Sequence, residues 1–293
     1  GESLISLFKV SKIIKDFKPD VVIGTGGYVC GSVLLAAALM NVPTLIHEQN
    51  AFPGVTNKIL ARIVDIIAVN FPEAKEYFPK NNKVIVTGNP IRSDILSVSK
   101  EEGLKEFGFS KELPGGFVGG GSRGAKKLNE SVLLLARDCV SRKSFQVLHM
   151  TGETQYNDII GRYGSEGIAV DTGYLKVMPF LYNMPYALAA CDIVISRCGA
   201  STLSEITALG KPAILVPYPY ATGNHQEYNA RALEKNGAAI VILERDLDAD
   251  ILNNEVADML NKMEKVNKMK AQSKELGRTD AAYAIVKAVE KLI

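Results

Sequence analysis

The residues of this sequence that could do chemistry sit in glycine-rich stretches between short apolar runs and helical ones. The first is Gly24-Thr25-Gly26-Gly27-Tyr28, behind Asp20-Val-Val-Ile. Glycines let an anion approach the backbone closely, and the amides that open a helix carry partial positive charge. The second, Gly119-Gly-Gly-Ser122-Arg123-Gly124-Ala125, has the G-x-G-x-x-G spacing and adds a hydroxyl and a guanidinium. The third, residues 196–205, leaves a strand on small residues and opens a helix. Glu205 falls near the end of that helix's first turn, where a carboxylate could accept two hydroxyl hydrogens from a ribose. The fourth, residues 217–229, is a proline-rich loop entering a helix on which Gln226 and Asn229, three apart, share a face suited to sugar hydroxyls. Each stretch also has a plainer reading: a tight strand-to-helix turn, a carboxylate that complements the helix dipole, or, for Asn224, an ordinary cap.

Several chemistries are excluded. A dinucleotide fingerprint needs an acid at the tip of the next strand. That strand ends in Leu148-His149-Met150-Thr151 and has none. A nucleoside-triphosphate loop needs lysine where Ala125 stands. What survives around Ser122 is a phosphate cradle of backbone amides. Cys30, Cys139, Cys191 and Cys198 form no C-x-x-C pair, and His47, His149 and His225 are scattered. This points to reduced, mostly buried thiols in a cytoplasmic protein rather than to zinc or disulfides. The 34 basic and 32 acidic residues leave a net charge of +2, without the basic excess of a nucleic-acid binder.

The elements that position these loops follow from the alternation of apolar runs and helical stretches over 293 residues, of which 47% are hydrophobic and 23% charged. Strands are expected at 20–24, 42–46, 66–69, 83–87, 145–150, 193–196, 213–216 and 239–243, with helices between them; residues 113–118 make a poor strand because of Gly115 and Gly116. Such alternation means βαβ units and parallel sheets. The fold class is α/β, with two doubly wound, Rossmann-like domains: 1–97 plus the helix 280–293, and 98–279. The longest apolar run, Val33 to Met40, falls short of the roughly 20 residues that cross a bilayer. The first helix, residues 2–17, combines Leu4, Leu7 and Phe8 with Lys9 and Lys12. It reads either as an ordinary surface helix or as one that touches a membrane.

Taken in order, Gly-Thr-Gly-Gly-Tyr (24–28), His47-Glu48-Gln49-Asn50, Thr87-Gly88-Asn89-Pro90-Ile91-Arg92, Gly120-Gly-Ser-Arg-Gly-Ala125, residues 196–205 and His225-Gln226 with Asn229-Ala230 resemble the GT-B glycosyltransferases over essentially the whole chain. The resemblance implies two Rossmann-like domains facing a cleft. It further implies inverting transfer of N-acetylglucosamine from UDP-N-acetylglucosamine to lipid I, giving lipid II for peptidoglycan. No metal and no cofactor are expected, and the enzyme would sit peripherally on the anionic cytoplasmic face of the bacterial membrane.

Site residues come from the same resemblance. Ser122 would contact the donor diphosphate, and the backbone of Leu181 would read the edge of uracil. Ala200, Ser201, Thr202, Leu203, Ser204 and Glu205 would hold diphosphate, sugar and ribose, with Glu205 on the ribose. Gln226 would bind N-acetylglucosamine, and Asn50 and Arg92 would reach across from the first domain. Gly24, Gly26, Gly27, Tyr28 and Glu48 would form the acceptor side, around the acceptor pyrophosphate. The family's first glycine loop, with the histidine that handles the acceptor proton, has no counterpart here, nor do its opening strand and helix. The catalytic base is therefore unassigned, and His47, nearest by context, reads as structural. The chain as written is expected to bind donor but form little lipid II, and its first domain to carry an unpaired sheet edge. Two other readings stand beside this one: a GT-B enzyme acting on another lipid acceptor such as diacylglycerol, and a nucleotide-binding protein without transferase activity.

Overall fold

The computed structural model describes residues 2–80 and 83–293, with side chains described from Ser6 onward. The chain divides into two compact units, each considered by itself: Gly1–Ile91 with Ala221–Ala232 and Arg278–Ile293, and Arg92–Tyr220 with Leu233–Gly277.

The first unit opens with α1 (Glu2–Phe17), β1 (Val22–Gly24), α2 (Tyr28–Leu39), β2 (Thr44–Glu48), α3 (Val55–Leu60), β3 (Ile66–Val69) and β4 (Val84–Val86). The strands form one parallel sheet in the order β1-β2-β3-β4. All of β2 is buried, as expected of a parallel strand covered on both faces. On one face Leu34, Ile46, Leu60, Val64, Ile67 and Phe78 form the core. Strand β1 stands at the sheet edge, with Ile23 exposed. Helix α1 packs Leu7, Val10 and Ile14 toward Ala36 and Ala37 of α2. Leu7 thus belongs to the packed stripe and not to an exposed patch, whereas Phe8 is 77% exposed. The side chain of Leu4 lies outside the described residues.

The second unit holds α4 (Lys100–Phe107), β5 (Gly115–Gly119), α5 (Lys126–Arg142), β6 (Gln146–Met150), α6 (Tyr156–Ser165), β7 (Leu175–Met178), α7 (Met184–Ala190), β8 (Ile193–Ser196), α8 (Ala200–Ala208) and β9 (Ala213–Leu215). After α9 (His225–Lys235) come β10 (Ala239–Val241), α10 (Ala249–Asn261) and α11 (Met263–Leu276). The final helix, α12 (Ala281–Val289), returns to the first unit, where Ala288 packs with Leu45 and Ala68. The second sheet is also parallel, in the order β10-β9-β8-β5-β6-β7. Several features differ from the sequence expectation, among them a strand, β7, where none was expected. The glycine-weakened run at 115–119 is a central strand, bonded to both β6 and β8. Residues 221–232, expected in the second domain, belong to the first unit, because Asn229 Oδ1 accepts from Ala51 N, His225 Nδ1 donates to Phe52 O and Tyr228 stacks on Phe52. Among the described residues, no helix is long and apolar enough to cross a membrane.

Candidate functional site

In the second unit the strand order reverses between β5 and β8. These neighbours pair with Gly119 opposite Ser196, so their carboxyl ends lie side by side. In open α/β sheets, ligands bind outside the carboxyl ends of the strands at such a switch point. Two helices start there, α5 after the loop 119–125 and α8 after Gly199, and neither has a side-chain cap. Their N-cap residues, Ala125 and Gly199, supply no side-chain acceptor, and both helices start just beyond the paired carboxyl ends of β5 and β8 with their positive dipole ends there. Ser122 and Arg123 are exposed at the tip of the first loop, followed by Lys126 and Lys127, with no acid in the first turn of α5.

The sequence-expected residues on α8 divide by function. Ala200, Ser201 and Thr202 form its first turn. Leu203 turns into the core and Ser204 Oγ is spent on Ala200 O, so neither offers its side chain to a ligand. Glu205 is largely buried and accepts a hydrogen bond from Arg92 Nε at 2.9 Å. Arg92, expected from the first domain, belongs to the second unit, held there by this ion pair and by the buried Ile95 that follows it. Leu181 lies between β7 and α7 with its side chain buried. Arg197 escaped notice in the sequence. From the tip of β8 it donates to Val216 O and Pro217 O, pairs with Glu244 and lies over the Tyr218 ring, latching the loop that leaves β9. In the run Asp246-Leu-Asp248-Ala-Asp250, Asp248 is the N-cap of α10, accepting from Ile251 N.

In the first unit a cavity of about 430 Å³ is lined by Gly26, Gly27, Tyr28, Gln49, Asn50 and Asn57, among others. Gly24 ends β1, and Tyr28 opens α2. Gly26 and Gly27 have φ of 98° and 81°, which L side chains avoid, and Gly27 is an N-cap without a side-chain acceptor. Gln49 Nε2 donates to Thr25 O, tying this loop to the end of β2. Glu48 is not a free acid. Its oxygens accept from Asn50 N and Nδ2, Gly54 N and Asn57 Nδ2, so it brackets the 49–57 loop. Asn50 in turn accepts from Asn229 Nδ2. That contact, with the bond to Ala51, buries Asn229 and takes it off the sugar-facing surface that the sequence spacing suggested; Gln226 stays half-buried on the first turn of α9. His47 is buried, its Nε2 on Gly88 O and its Nδ1 on Gln49 Nε2, a structural placement.

Two parallel α/β units, one with a strand reversal flanked by helix N-termini, have the architecture of the GT-B class. Residues 2–69 match the N-terminal domain and 117–285 the C-terminal domain of glycosyltransferase family 28, and the chain belongs to that family. It is 50% identical over 284 residues to the UDP-N-acetylglucosamine--N-acetylmuramyl-(pentapeptide) pyrophosphoryl-undecaprenol N-acetylglucosamine transferase of Caldanaerobacter subterraneus, covering 97% of this chain and 77% of that protein. It is 49% identical to the transferase of the same name from Acetivibrio thermocellus, with the same coverage. The crystal structure of Acinetobacter baumannii MurG superposes with a TM-score of 0.81 at 29% identity, over 99% of this chain and 80% of that one. The fold alone is shared with a Neisseria meningitidis UDP-GlcNAc 2-epimerase, at a TM-score of 0.71 and 15% identity, over 99% of this chain and 81% of that one.

Burial holds both His47 and His149 below the ordinary imidazole range, His149 at about 3. In the unfolded chain each titrates near 6.5. Below that pH the unfolded state binds more protons than the native state. The stability these groups carry is therefore full above about pH 6.5 and falls on acidification, by up to about 1.4 kcal/mol per pH unit for each. Urea unfolding between pH 7.5 and 5 should show this slope, and His149→Gln should make it shallower; equal slopes would remove the histidine from the account.

Proposed function

We propose that the protein transfers N-acetylglucosamine from UDP-N-acetylglucosamine to a muramyl hydroxyl of lipid I, releasing UDP and forming lipid II. The observation that carries this reading is the pair of helix N-termini, without side-chain caps, at the β5/β8 reversal, with Glu205 in the second turn of α8, one turn further along than the sequence spacing suggested. The donor diphosphate lies over those amides near Ser122, the first turn at Ala200, Ser201 and Thr202 completes the cradle, and the ribose hydroxyls lie on Glu205. The Leu181 backbone reads uracil. As the anomeric bond breaks, negative charge grows on the leaving diphosphate, where fixed dipoles and Arg123 stabilise it without reorganising. Arg92 shares Glu205 with the ribose. On the acceptor side, the loop at Gly24, Gly26, Gly27 and Tyr28 receives the acceptor pyrophosphate at the start of α2, with Glu48 holding the neighbouring loop in shape. Whatever labelled sugar the chain transfers should appear on lipid I and not on diacylglycerol. Product on diacylglycerol would change the acceptor.

Glu205→Ala should weaken UDP binding by roughly 10- to 100-fold, the worth of a charged hydrogen bond. Binding of N-acetylglucosamine alone should barely change. Calorimetry decides, and unchanged UDP affinity would take Glu205 out of the site.

Lipid I lies in a bilayer, so the protein works at the anionic cytoplasmic surface as a peripheral enzyme. Phe8, with Lys12 one turn on and Lys9 beside it, supports attachment through α1. The exposed Leu39, Val55 and Ile59 widen the apolar surface that the first unit offers. In vesicle flotation, Phe8→Ser should reduce binding, and neutral vesicles should bind less than anionic ones by about 1 kcal/mol for each lysine. Binding that ignores both changes would place the contact elsewhere.

A further inference from the structure

We propose that His149, between Tyr163 and Asn129, is a positioning residue that fixes the shape of the loop 120–124 under the donor diphosphate; this rests on the proposed role of that loop as the diphosphate site. His149 lies on β6, fully buried. Its Nδ1 is 2.7 Å from Tyr163 Oη and its Nε2 is 3.1 Å from Asn129 Oδ1. Asn129 Nδ2 donates to Thr151 O and to Gln155 Oε1, each at 2.8 Å.

The direction of every bond is set from one end. A backbone carbonyl can only accept, so Asn129 must present its NH₂ to Thr151 and its Oδ1 to His149. The histidine proton therefore sits on Nε2, and Nδ1 accepts from the Tyr163 hydroxyl. The histidine stays neutral, pushed down to about 3 by burial, so the relay keeps one polarity across physiological pH.

The end of the relay touches the loop. A Cβ on Gly124, whose φ is 74°, would collide with Thr151 O; a Cβ on Gly152, whose φ is 84°, would collide with the Gly124 backbone. Gln155 packs against the same glycine, and Thr154 Oγ1 donates to Arg123 O at 3.1 Å. The carbonyl that Asn129 holds is thus the surface on which Gly124 rests. Buried polar groups left without partners relax by moving. Breaking the relay should let the 151–155 turn shift and carry the phosphate loop with it.

The test measures UDP and uridine affinity by calorimetry and competition, since uridine lacks the diphosphate that the loop would hold. His149→Leu should lose about tenfold in UDP affinity, with uridine unchanged. His149→Gln, which can donate to Asn129 and accept from Tyr163, should restore most of it. Gln155→Ala, a partly exposed site, keeps the test open if His149→Leu does not fold, and should lose about threefold for UDP alone. Equal losses for UDP and uridine, or none in a folded variant, would overturn the relay. A wild-type protein that binds no UDP would instead overturn the assignment of the loop as the diphosphate site, and the inference with it.

Discussion

The reversal of strand order between β5 and β8 is the constraint on which the rest of the second unit depends. Parallel strands are joined by right-handed crossovers, so a sheet that grows first one way and then the other leaves two helices starting side by side where it turns. Here those helices are α5 and α8. Their N-termini repel cations, yet Arg123, Lys126 and Lys127 cluster at the start of α5, and no acid stands in its first turn. That arrangement is unfavourable in the empty protein and becomes favourable when a multiply charged anion lies over it. On the α8 side the nearby charge is Glu205, and Arg92 neutralises it. Because Arg92 binds through Nε to Oε1, the carboxylate is oriented as well as neutralised.

The first unit solves a different problem with the same device. Its glycine loop must keep a shape that only positive φ allows, and neighbouring loops hold it there. Glu48 gathers donors from Asn50, Gly54 and Asn57, and Gln49 reaches back to Thr25. A buried carboxylate with all its neighbours donating is a fixed point of the backbone, its oxygens already engaged. The same holds for His47, whose two nitrogens are both engaged. The residues closest in sequence context to a base are therefore those that hold the frame.

Much of this was legible in the sequence. The alternation of apolar strands and helices identified the parallel α/β units, and the loops at 24–28, 119–125 and 196–205 all fall at strand-to-helix turns in the structure. What was not legible depends on long-range partners. Gly115 and Gly116 read as weak strand because local propensity says nothing of a central position between β6 and β8. The Ser99/Glu102 capping box that opens α4 is present in the sequence but lies in a polar, charged stretch without a clean strand, where no helix stands out. Asn229 shares a helical face with Gln226, yet its amide is committed to Ala51 and Asn50, nearly 180 residues away along the chain. Arg197, in a run of small residues, gives no local sign of the two carbonyls it holds.

The two glycine loops differ most in the helices behind them. Helix α5 begins with lysines and is amphipathic, suiting a soluble, multiply charged ligand held over its start. Helix α2, Tyr-Val-Cys-Gly-Ser-Val-Leu-Leu-Ala-Ala-Ala-Leu, carries no charge at all. Its buried face, Leu34, Ala36 and Ala37, packs in the core, while Val29, Leu35 and Leu39 remain exposed. An exposed apolar face is costly for a protein that meets only water. It is less so where the ligand at the helix N-terminus is a phosphate joined to a hydrocarbon chain, because the dipole end meets the charged group while the apolar flank lies toward the lipid. The charge content of the helix behind each loop thus distinguishes the site proposed for a nucleotide-linked diphosphate from the one proposed for a lipid-linked diphosphate, although each offers the same kind of group, backbone amides at a helix start.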